Sequence, residues 1–311
     1  MNISIIGGDL RMVRLAEIYA KEGQKVYTYG LEKYFCKNAD ELFSEDEEKI
    51  NEDKKIAKLN NNIVICDNME QTINSSKIII SGMPFSYDKI TVNAPFSENE
   101  IKIDELKDML NYSSKLFIAG GITTDFMNKK IDCMDLLQNE KLTILNAIPT
   151  VEGTIKIAIE EREETIHESN VLVCGFGRIG KILCRRFKAL GANVYCVARK
   201  DTDLSWIREE KYVPLKYEEI HKFGREFDIL INTVPTTVIK ERELSEFKKD
   251  ILIIDVASKP GGIEQEAVKK YNLKTIIALG IPGKMMPRTS AKYIKELIDE
   301  RKVIEWQLYK H

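Results

Sequence analysis

Short apolar runs alternate with amphipathic stretches along most of the chain, and most of the runs end at glycine or at a small polar residue. The clearest run, residues 171–174, leads into three glycines spaced G-x-G-x-x-G. An amphipathic stretch follows at 181–190 and closes at Gly191, and a second apolar run occupies 193–197. The pattern predicts a buried strand, a tight turn, a helix and a neighbouring parallel strand.

The N-terminal half repeats this alternation. Residues 2–6 are apolar and reach Gly7-Gly8-Asp9, residues 10–22 carry apolar positions at helical spacing, and residues 25–29 alternate like a strand. Further strand-like runs and helical patterns follow at 63–66, 77–80, 103–110, 115–119 and 123–130. Repeated strand and helix units predict a parallel sheet. Residues 38–62 are densely charged, which indicates a solvated helix or loop.

Pro149 marks the predicted crossing between two domains. A long helical pattern runs from there to about residue 167, with Thr150 as its N-cap and Gly153 as a mild break. Strand-like runs then follow at 227–232, 251–256 and 274–279. We therefore expect two doubly wound, parallel-sheet, Rossmann-like domains with a cleft between them. The domains are 1–148, completed by a C-terminal helix 288–311, and 149–287.

Composition narrows the classes of function. Lys and Arg number 47 against 49 Asp and Glu, without a basic block, which argues against nucleic acid as a partner. We expect no membrane span, because no basic leader precedes the first strand and no apolar run looks long enough. The six scattered cysteines indicate reduced, packed thiols rather than a metal or redox site. A cytoplasmic protein without a metal site is expected.

The glycine turn has the chemistry of a dinucleotide site. Gly175 would allow the tight turn, Gly177 would let a pyrophosphate approach the backbone, and Gly180 would let the helix pack on its strand. In an open parallel sheet, loops at the carboxyl ends of neighbouring strands also line the ligand site. The candidate cofactor-binding residues are Gly175, Gly177, Arg178, Ile179, Gly180, Arg199, Lys200, Thr233, Val234 and Pro235.

The end of the next strand favours NADP over NAD. An acid at this point would bind the ribose 2′-hydroxyl of NAD, whereas a cation would bind the 2′-phosphate of NADP. The strand runs into Ala198-Arg199-Lys200, close to the spacing of roughly 20 residues after the glycines. Asp201 and Asp203 come too late to take that role. The alternative for the two cations is a solvated surface pair.

Few residues offer acid–base chemistry. The three histidines lie in charged stretches, so the candidate catalytic residues are Glu152, Asp9 and Lys284. Asp9 has the alternative role of helix cap, and Glu152 that of complementing the helix dipole. Cations beside Gly- and Pro-rich turns suggest a small anionic substrate. The candidate substrate-binding residues are Gly8, Arg11, Thr150, Ser258, Lys284 and Arg288.

Several motifs together make the chain resemble the family of dipicolinate synthase A subunits, which come from spore-forming bacteria. The motifs are the segments 7–11, 147–153, 175–180, 197–199, 232–235, 255–262 and 281–284. Two stretches depart from the family pattern: the charged segment 38–62, and Met285-Met286-Pro287-Arg288, where smaller residues are expected.

The resemblance implies oxidation of a dihydrodipicolinate-type precursor to pyridine-2,6-dicarboxylate in sporulation, with hydride transfer to NADP. It also implies a small dicarboxylate substrate and a second, flavoprotein-like partner protein in the enzyme. Formation of a homo-oligomer is left open. Two alternatives remain: an amino-acid or hydroxy-acid dehydrogenase of the same two-domain plan, and an NADP-binding component of a heteromeric complex that performs no chemistry itself.

Overall fold

The computed structural model describes residues 2–40, 61–111, 113–124, 126 and 131–308. The chain divides into two compact units: 1–143 together with 286–311, and 144–285. In the described part of the chain each unit contains a six-stranded sheet whose strands are all parallel. The predicted class of fold, two doubly wound α/β units, is confirmed.

The sheet of the N-terminal unit has the strand order β3-β2-β1-β4-β5-β6. Its strands are β1 Ile3–Ile6, β2 Val26–Tyr29, β3 Ile63–Ile65, β4 Ile78–Ser81, β5 Leu116–Ala119 and β6 Asp132–Asp135. The chain reverses direction across the sheet between β1 and β4, which places a topological switch point there. The described helices of this unit are Leu10–Lys21, Glu32–Asp40, Met69–Asn74, Ile103–Leu110 and the C-terminal helix Pro287–Leu308.

The sheet of the C-terminal unit has the same order, β9-β8-β7-β10-β11-β12, with its switch point between β7 and β10. Its strands are β7 Asn170–Cys174, β8 Asn193–Val197, β9 Val213–Leu215, β10 Ile229–Asn232, β11 Leu252–Asp255 and β12 Lys274–Ile277. The helices are Arg178–Ala189, Asp201–Glu209, Glu241–Leu244, Gln265–Tyr271 and Ile281–Met285, with 3₁₀ turns at Tyr217–Lys222 and Gly224–Glu226.

Both sheets are covered on two faces, which explains why their central strands are predominantly apolar. Ile3 and Ile5 pack into one core with the C-terminal helix, while Ile6 faces a second core that contains Phe85 and Phe117. Alternate residues of β7 divide between two cores in the same way. Each fully buried Ile, Leu or Phe side chain contributes about 1.5–3 kcal/mol to folding, so these cores fix the strand ends that carry the loops.

The helix Glu140–Glu160, which we call the crossing helix, corrects two predictions. It runs through Pro149, so Thr150 is not an N-cap; its hydroxyl donates to the carbonyl of Asn146 at 3.0 Å. The helix begins earlier because Asn139 accepts a hydrogen bond from the amide of Leu142 at 2.9 Å. It also ends at Glu160, before the predicted residue 167.

The crossing helix is also apolar enough to meet the length and hydropathy criteria of a membrane span, with a mean hydropathy of 1.3. The prediction that no such stretch exists is therefore wrong, because uncharged Thr, Asn, Pro and Gly interrupt the apolar residues without adding charge. Half of that stretch is buried inside the protein. Among the described residues it is the one helix with these properties.

Other local predictions differ from the structure where contacts distant in the chain decide the outcome. Strand β6 and the helix Met69–Asn74 were not predicted, and residues 281–284 form part of a short helix rather than a turn. Most of the charged segment 38–62 lies outside the described residues. Residues 125 and 127–130 of the predicted helix 123–130 also lie outside them.

Candidate functional site

In the glycine turn after β7, the packing of the protein leaves no room for a side chain at two of the glycines. Gly175 has a φ of +98°, and a Cβ there would meet the Thr233 hydroxyl at 2.6 Å. A Cβ at Gly180 would overlap the carbonyl oxygen of Gly175. These contacts bring the helix Arg178–Ala189 close to its strand. The Thr233 hydroxyl donates to the carbonyl of Cys174 at 2.8 Å and so ties the loop after β10 to the same turn.

Gly177 differs from its neighbours, because a Cβ there would have no described atom within 4 Å. Gly177 is also the N-cap of the helix, and no side chain forms a cap hydrogen bond there. The first amides of a helix are donors without intrahelical partners, and the helix dipole favours an anion beside them. Open space beside the first amides of a helix fits the pyrophosphate of a dinucleotide.

Arg199 and Lys200 follow β8 and are both exposed. Arg199 forms no hydrogen bond or ion pair with any residue that the structure describes. Residues 198–200, between the end of β8 and the helix Asp201–Glu209, include no carboxylate. Burial raises the pKa of Tyr217, and the nearby Arg199 charge opposes that rise. The Ala198 amide donates to the carbonyl of Leu215 at 3.3 Å, which brings β9 and Lys216 beside this pair of cations.

A buried polar network fixes the loops after β10 and β11. The side-chain Nδ2 of Asn232 donates to the Asp255 carboxylate at 2.8 Å and to the carbonyl of Val234 at 3.0 Å. Asp255 also accepts the amides of Ala257 at 3.1 Å and Gly262 at 2.9 Å. Each of these polar groups has a hydrogen-bond partner. The network therefore holds both loops in place, and the buried Asp255 carboxylate is hydrogen-bonded.

In the N-terminal unit, Asp9 caps the helix Leu10–Lys21, accepting the amide of Arg11 at 3.0 Å. Its carboxylate also binds the Arg11 side chain, with Nη2 to Oδ2 at 2.7 Å. Nη2 donates in addition to the carbonyl of Met83 in the loop after β4. The cap that was one alternative for Asp9 is therefore present, together with an ion pair.

Arg11 is only 4% exposed, yet one end of its guanidinium has no partner among the described residues. Its Nε and Nη2 donate to Asp9 and Met83, whereas Nη1 bonds to none of the described residues. A buried guanidinium whose Nη1 N–H groups are unused can donate a charge-assisted hydrogen bond to a carboxylate.

The remaining predicted residues are scattered over helices and loops. Glu152 is exposed in the interior of the crossing helix, so it does not complement that helix's dipole at the first turn. Lys284 is exposed on the helix Ile281–Met285, which packs against the crossing helix at Gly153. Ser258 is exposed after β11, and Arg288 is exposed in the first turn of the C-terminal helix. The helices place these cations on rigid supports rather than in turns.

Three neighbours of these residues were not predicted from the sequence. Lys216 lies beside Arg199 only because β9 pairs with β8. The loop 84–93 reaches the glycine turn of the N-terminal unit through the Asn93 carbonyl, which accepts the Gly8 amide at 2.7 Å. Tyr87, on the same loop, lies within electrostatic range of Asp9 and Arg11. No motif in the sequence marks these contacts.

The fold and the open glycine turn define an oxidoreductase-like protein with a domain for a nicotinamide dinucleotide. Consistent with this class, residues 150–274 match the NAD-binding domain of D-isomer specific 2-hydroxyacid dehydrogenases. Residues 2–137 match the N-terminal domain of the A subunit of dipicolinate synthase.

Individual relatives extend this second match along the chain. The A subunit of dipicolinate synthase from Bacillus subtilis (strain 168) is 29% identical over 306 residues, covering 96% of this chain and 95% of the relative. The crystal structure of the dipicolinate synthase A subunit from Bacillus halodurans is similar with a TM-score of 0.78 and 25% identity, covering 96% and 97% of the two chains.

The crystal structure of the corresponding dipicolinate synthase chain from Bacillus subtilis gives a TM-score of 0.76 at 28% identity, covering 99% of this chain and 97% of that one. The resemblance to the A subunits of dipicolinate synthase is therefore confirmed, and it extends over nearly the whole chain.

Proposed function

We propose that this chain is the dehydrogenase component of a dipicolinate-forming enzyme and that it uses NADP. The observation that carries the proposal is the open Gly177 turn, followed by the exposed Arg199-Lys200 pair where an NAD enzyme would place an acid. The similarity to dipicolinate synthase A subunits supports the substrate.

The reaction removes two hydrogens from a dihydrodipicolinate-type precursor. One leaves as hydride and one as a proton, and the ring becomes the aromatic pyridine-2,6-dicarboxylate. A bound nicotinamide would accept the hydride. Because aromatisation drives the step, the protein needs to supply carboxylate binding and a single proton acceptor rather than a relay of acids and bases.

Within this proposal, the Nη1 of Arg11, which has no partner in the described part of the chain, binds a substrate carboxylate. Further substrate-binding candidates are Gly8, Thr150, Ser258, Lys284 and Arg288. Glu152 is the better candidate for the proton acceptor, because it is exposed and forms no ion pair with the described residues. Asp9 already holds Arg11, so its role is to fix the direction of the guanidinium. Lys284 remains a candidate in both roles.

Activity tests the reaction directly. Purified protein is mixed with dihydrodipicolinate and NADP, with and without its partner protein, and the absorbance of reduced cofactor is followed. We expect reduction that depends on both compounds. Absence of turnover in both conditions would contradict the proposed reaction.

Cofactor choice is tested by Arg199→Asp. A charge-assisted hydrogen bond contributes roughly 1.5–3 kcal/mol, so we expect NADP to bind about tenfold weaker or worse, with little change for NAD. Arg208→Asp is the matched control, because Arg208 is an exposed arginine at the other end of the helix Asp201–Glu209. Equal losses for both cofactors would refute the assignment of Arg199 to the 2′-phosphate.

The relatives are named as subunits of their synthase, which supports a heteromeric complex, and we propose a flavoprotein-like partner protein in it. The ion pair of Asp9 with Arg11 occupies one of the candidate proton acceptors. This favours one alternative, in which the chain binds NADP and dicarboxylate but catalyses the reaction only with that partner. Turnover by the isolated chain would exclude this alternative. The free cysteines of the described fold favour a cytoplasmic location.

A hydroxy-acid or amino-acid dehydrogenase remains the other alternative, supported by the match of residues 150–274. The described histidines do not favour it: His221 bonds to Arg242, and His167 packs on Gly191. Neither lies in the loops after β7, β10 or β11. Screening keto acids with reduced cofactor separates this alternative from the proposed reaction.

A further inference from the structure

The loop after β4 is anchored at both ends of residues 84–93. The Phe85 amide donates to the carbonyl of Gly120 at 2.7 Å, and the Asn93 amide donates to the carbonyl of Phe85 at 2.7 Å. The Asn93 carbonyl then accepts the Gly8 amide at 2.7 Å. The loop is thereby attached to the turn that carries Asp9 and Arg11.

The tip of this loop, residues 86–91, is held by Asp88. Its carboxylate accepts the amides of Ile90 and Thr91, each at 2.8 Å, and the Thr91 hydroxyl at 2.8 Å. These hydrogen bonds hold the pKa of Asp88 well below its ordinary value, so the carboxylate is ionised at neutral pH. A tip fixed in this way presents its side chains at low entropic cost.

Two large side chains are exposed on the tip, Tyr87 at 67% and Ile90 at 68%. The phenol of Tyr87 is influenced by the charges of the neighbouring turn. Partial burial raises the pKa of Tyr87, the Asp9 carboxylate raises it further, and the Arg11 guanidinium lowers it. The loop contacts agree with this, because Tyr87 lies between Met83, whose carbonyl accepts from Arg11, and Asn93, whose carbonyl accepts from Gly8. The Tyr87 phenol is thus near the Asp9–Arg11 pair and remains protonated at neutral pH.

Arg11 offers this neighbourhood a cation with unused donors. It is buried among Asp9 and the Met83 carbonyl, while Nη1 has no partner in the described part of the chain. If a ligand binds Nη1 through a carboxylate, the rest of the ligand would lie beside the residues that surround Arg11. An aromatic side chain there would contact a flat ring over a large area, and aromatic pairs favour offset-stacked or edge-to-face contacts.

We propose that Tyr87 is a specificity-determining residue, whose ring contacts the ring of a cyclic carboxylate bound by Arg11 and so selects planar ring dicarboxylates over open-chain ones. The choice of dipicolinate as the ring compound rests on the proposed function. The assignment of Tyr87 itself rests on the loop 84–93 and on the guanidinium.

Calorimetric titration tests this assignment without requiring turnover. Dipicolinate and pimelate, an open-chain dicarboxylate, are titrated into the full-length protein in the presence of NADP. We expect Tyr87→Ala to weaken dipicolinate about tenfold, while Tyr87→Phe, which keeps the ring, stays close to the original protein. Ile90→Ala is the matched control, since Ile90 is equally exposed on the same tip.

The outcomes separate the two proposals. If the original protein does not bind dipicolinate, the proposed substrate fails and the role of Tyr87 fails with it. If dipicolinate binds but Tyr87→Ala and Ile90→Ala behave alike, the substrate stands and the role of Tyr87 is refuted. Equal losses for dipicolinate and pimelate in Tyr87→Ala would refute selection for the ring.

Discussion

The turn after β1 and the turn after β7 occupy the same place in two sheets of the same strand order. Side chains fill the first turn, whereas the second is open. After β7, no side chain among the described residues caps the helix, and none of their atoms fills the space at Gly177. After β1, Asp9 caps the helix, binds Arg11 and fills the position with protein groups.

This difference shows how one architecture provides two kinds of anion site. Main-chain amides and a helix dipole suit a phosphate group, whose charge is spread over several oxygens. A guanidinium held by a carboxylate suits a single planar carboxylate. Substitutions in one turn should therefore have effects that differ from those of substitutions in the other.

Removing the carboxylate of Asp9 should damage the first turn most. Asp9→Ala leaves the buried Arg11 cation without its partner and removes the helix cap, so we expect a loss of about 3 kcal/mol in the free energy of unfolding. Urea denaturation measures it. The double variant Asp9→Ala/Arg11→Met removes both charges and should recover part of that loss. No recovery would mean that the ion pair is not the cause.

Filling the second turn should cost somewhat less. A Cβ at Gly180 would overlap the Gly175 carbonyl, so the helix must shift, and we expect Gly180→Ala to lose about 2 kcal/mol of stability. Gly177→Ala is the control, because its Cβ enters open space, and we expect it to lose less than about 1 kcal/mol. Similar losses for the two variants would contradict the described packing.

The Gly177→Ala variant also tests whether the open space at Gly177 binds the cofactor. Gly177→Ala should weaken cofactor binding about tenfold, or roughly 1.4 kcal/mol, because the methyl group occupies the place where a pyrophosphate meets the helix amides. Fluorescence titration with reduced cofactor measures the affinity. Unchanged affinity in the folded variant would place the dinucleotide elsewhere.

The smallest effect concerns the amino ends of the central strands β7 and β10, opposite the glycine turn of that sheet. Burial raises the pKa of Asp228, but the hydrogen bond from Lys248, at 2.5 Å, and the Asn170 amide lower it below the ordinary value of 3.8 overall. The stabilisation is therefore complete above the unfolded-state pKa and is lost as the pH falls through the lower folded-state pKa.

For this partly exposed pair we expect less than about 1 kcal/mol, seen as a steeper acid loss of stability in the original protein than in Lys248→Met. Denaturation at a series of acidic pH values checks this. Identical acid dependence in both proteins would contradict the role of the pair.

The central strands of both sheets could be predicted because their apolar runs are a local signal. The strand β6 could not, since Asp132 and Asp135 interrupt its apolar character and its position depends on pairing with β5. The crossing helix was misplaced for a related reason: Pro149 is typical of a first helical turn, whereas the Asn139 cap lies further back.

The candidate site shows the same division. The glycine turn and Arg199 follow a spacing that the chain displays directly. The partnership of Arg11 with Met83, and the nearness of Tyr87, join residues far apart in the sequence. Long-range contacts of this kind depend on the folded sheet and leave no periodic pattern.

The six cysteines give the molecule built-in reporters of unfolding. Cys36 is exposed and should react with a thiol reagent at once, whereas burial raises the pKa of Cys133 to about 11 and should make it slow. Cys174, Cys184 and Cys196 are buried in the C-terminal unit and Cys66 in the N-terminal one. The order in which these thiols become modified in denaturant would report which unit opens first.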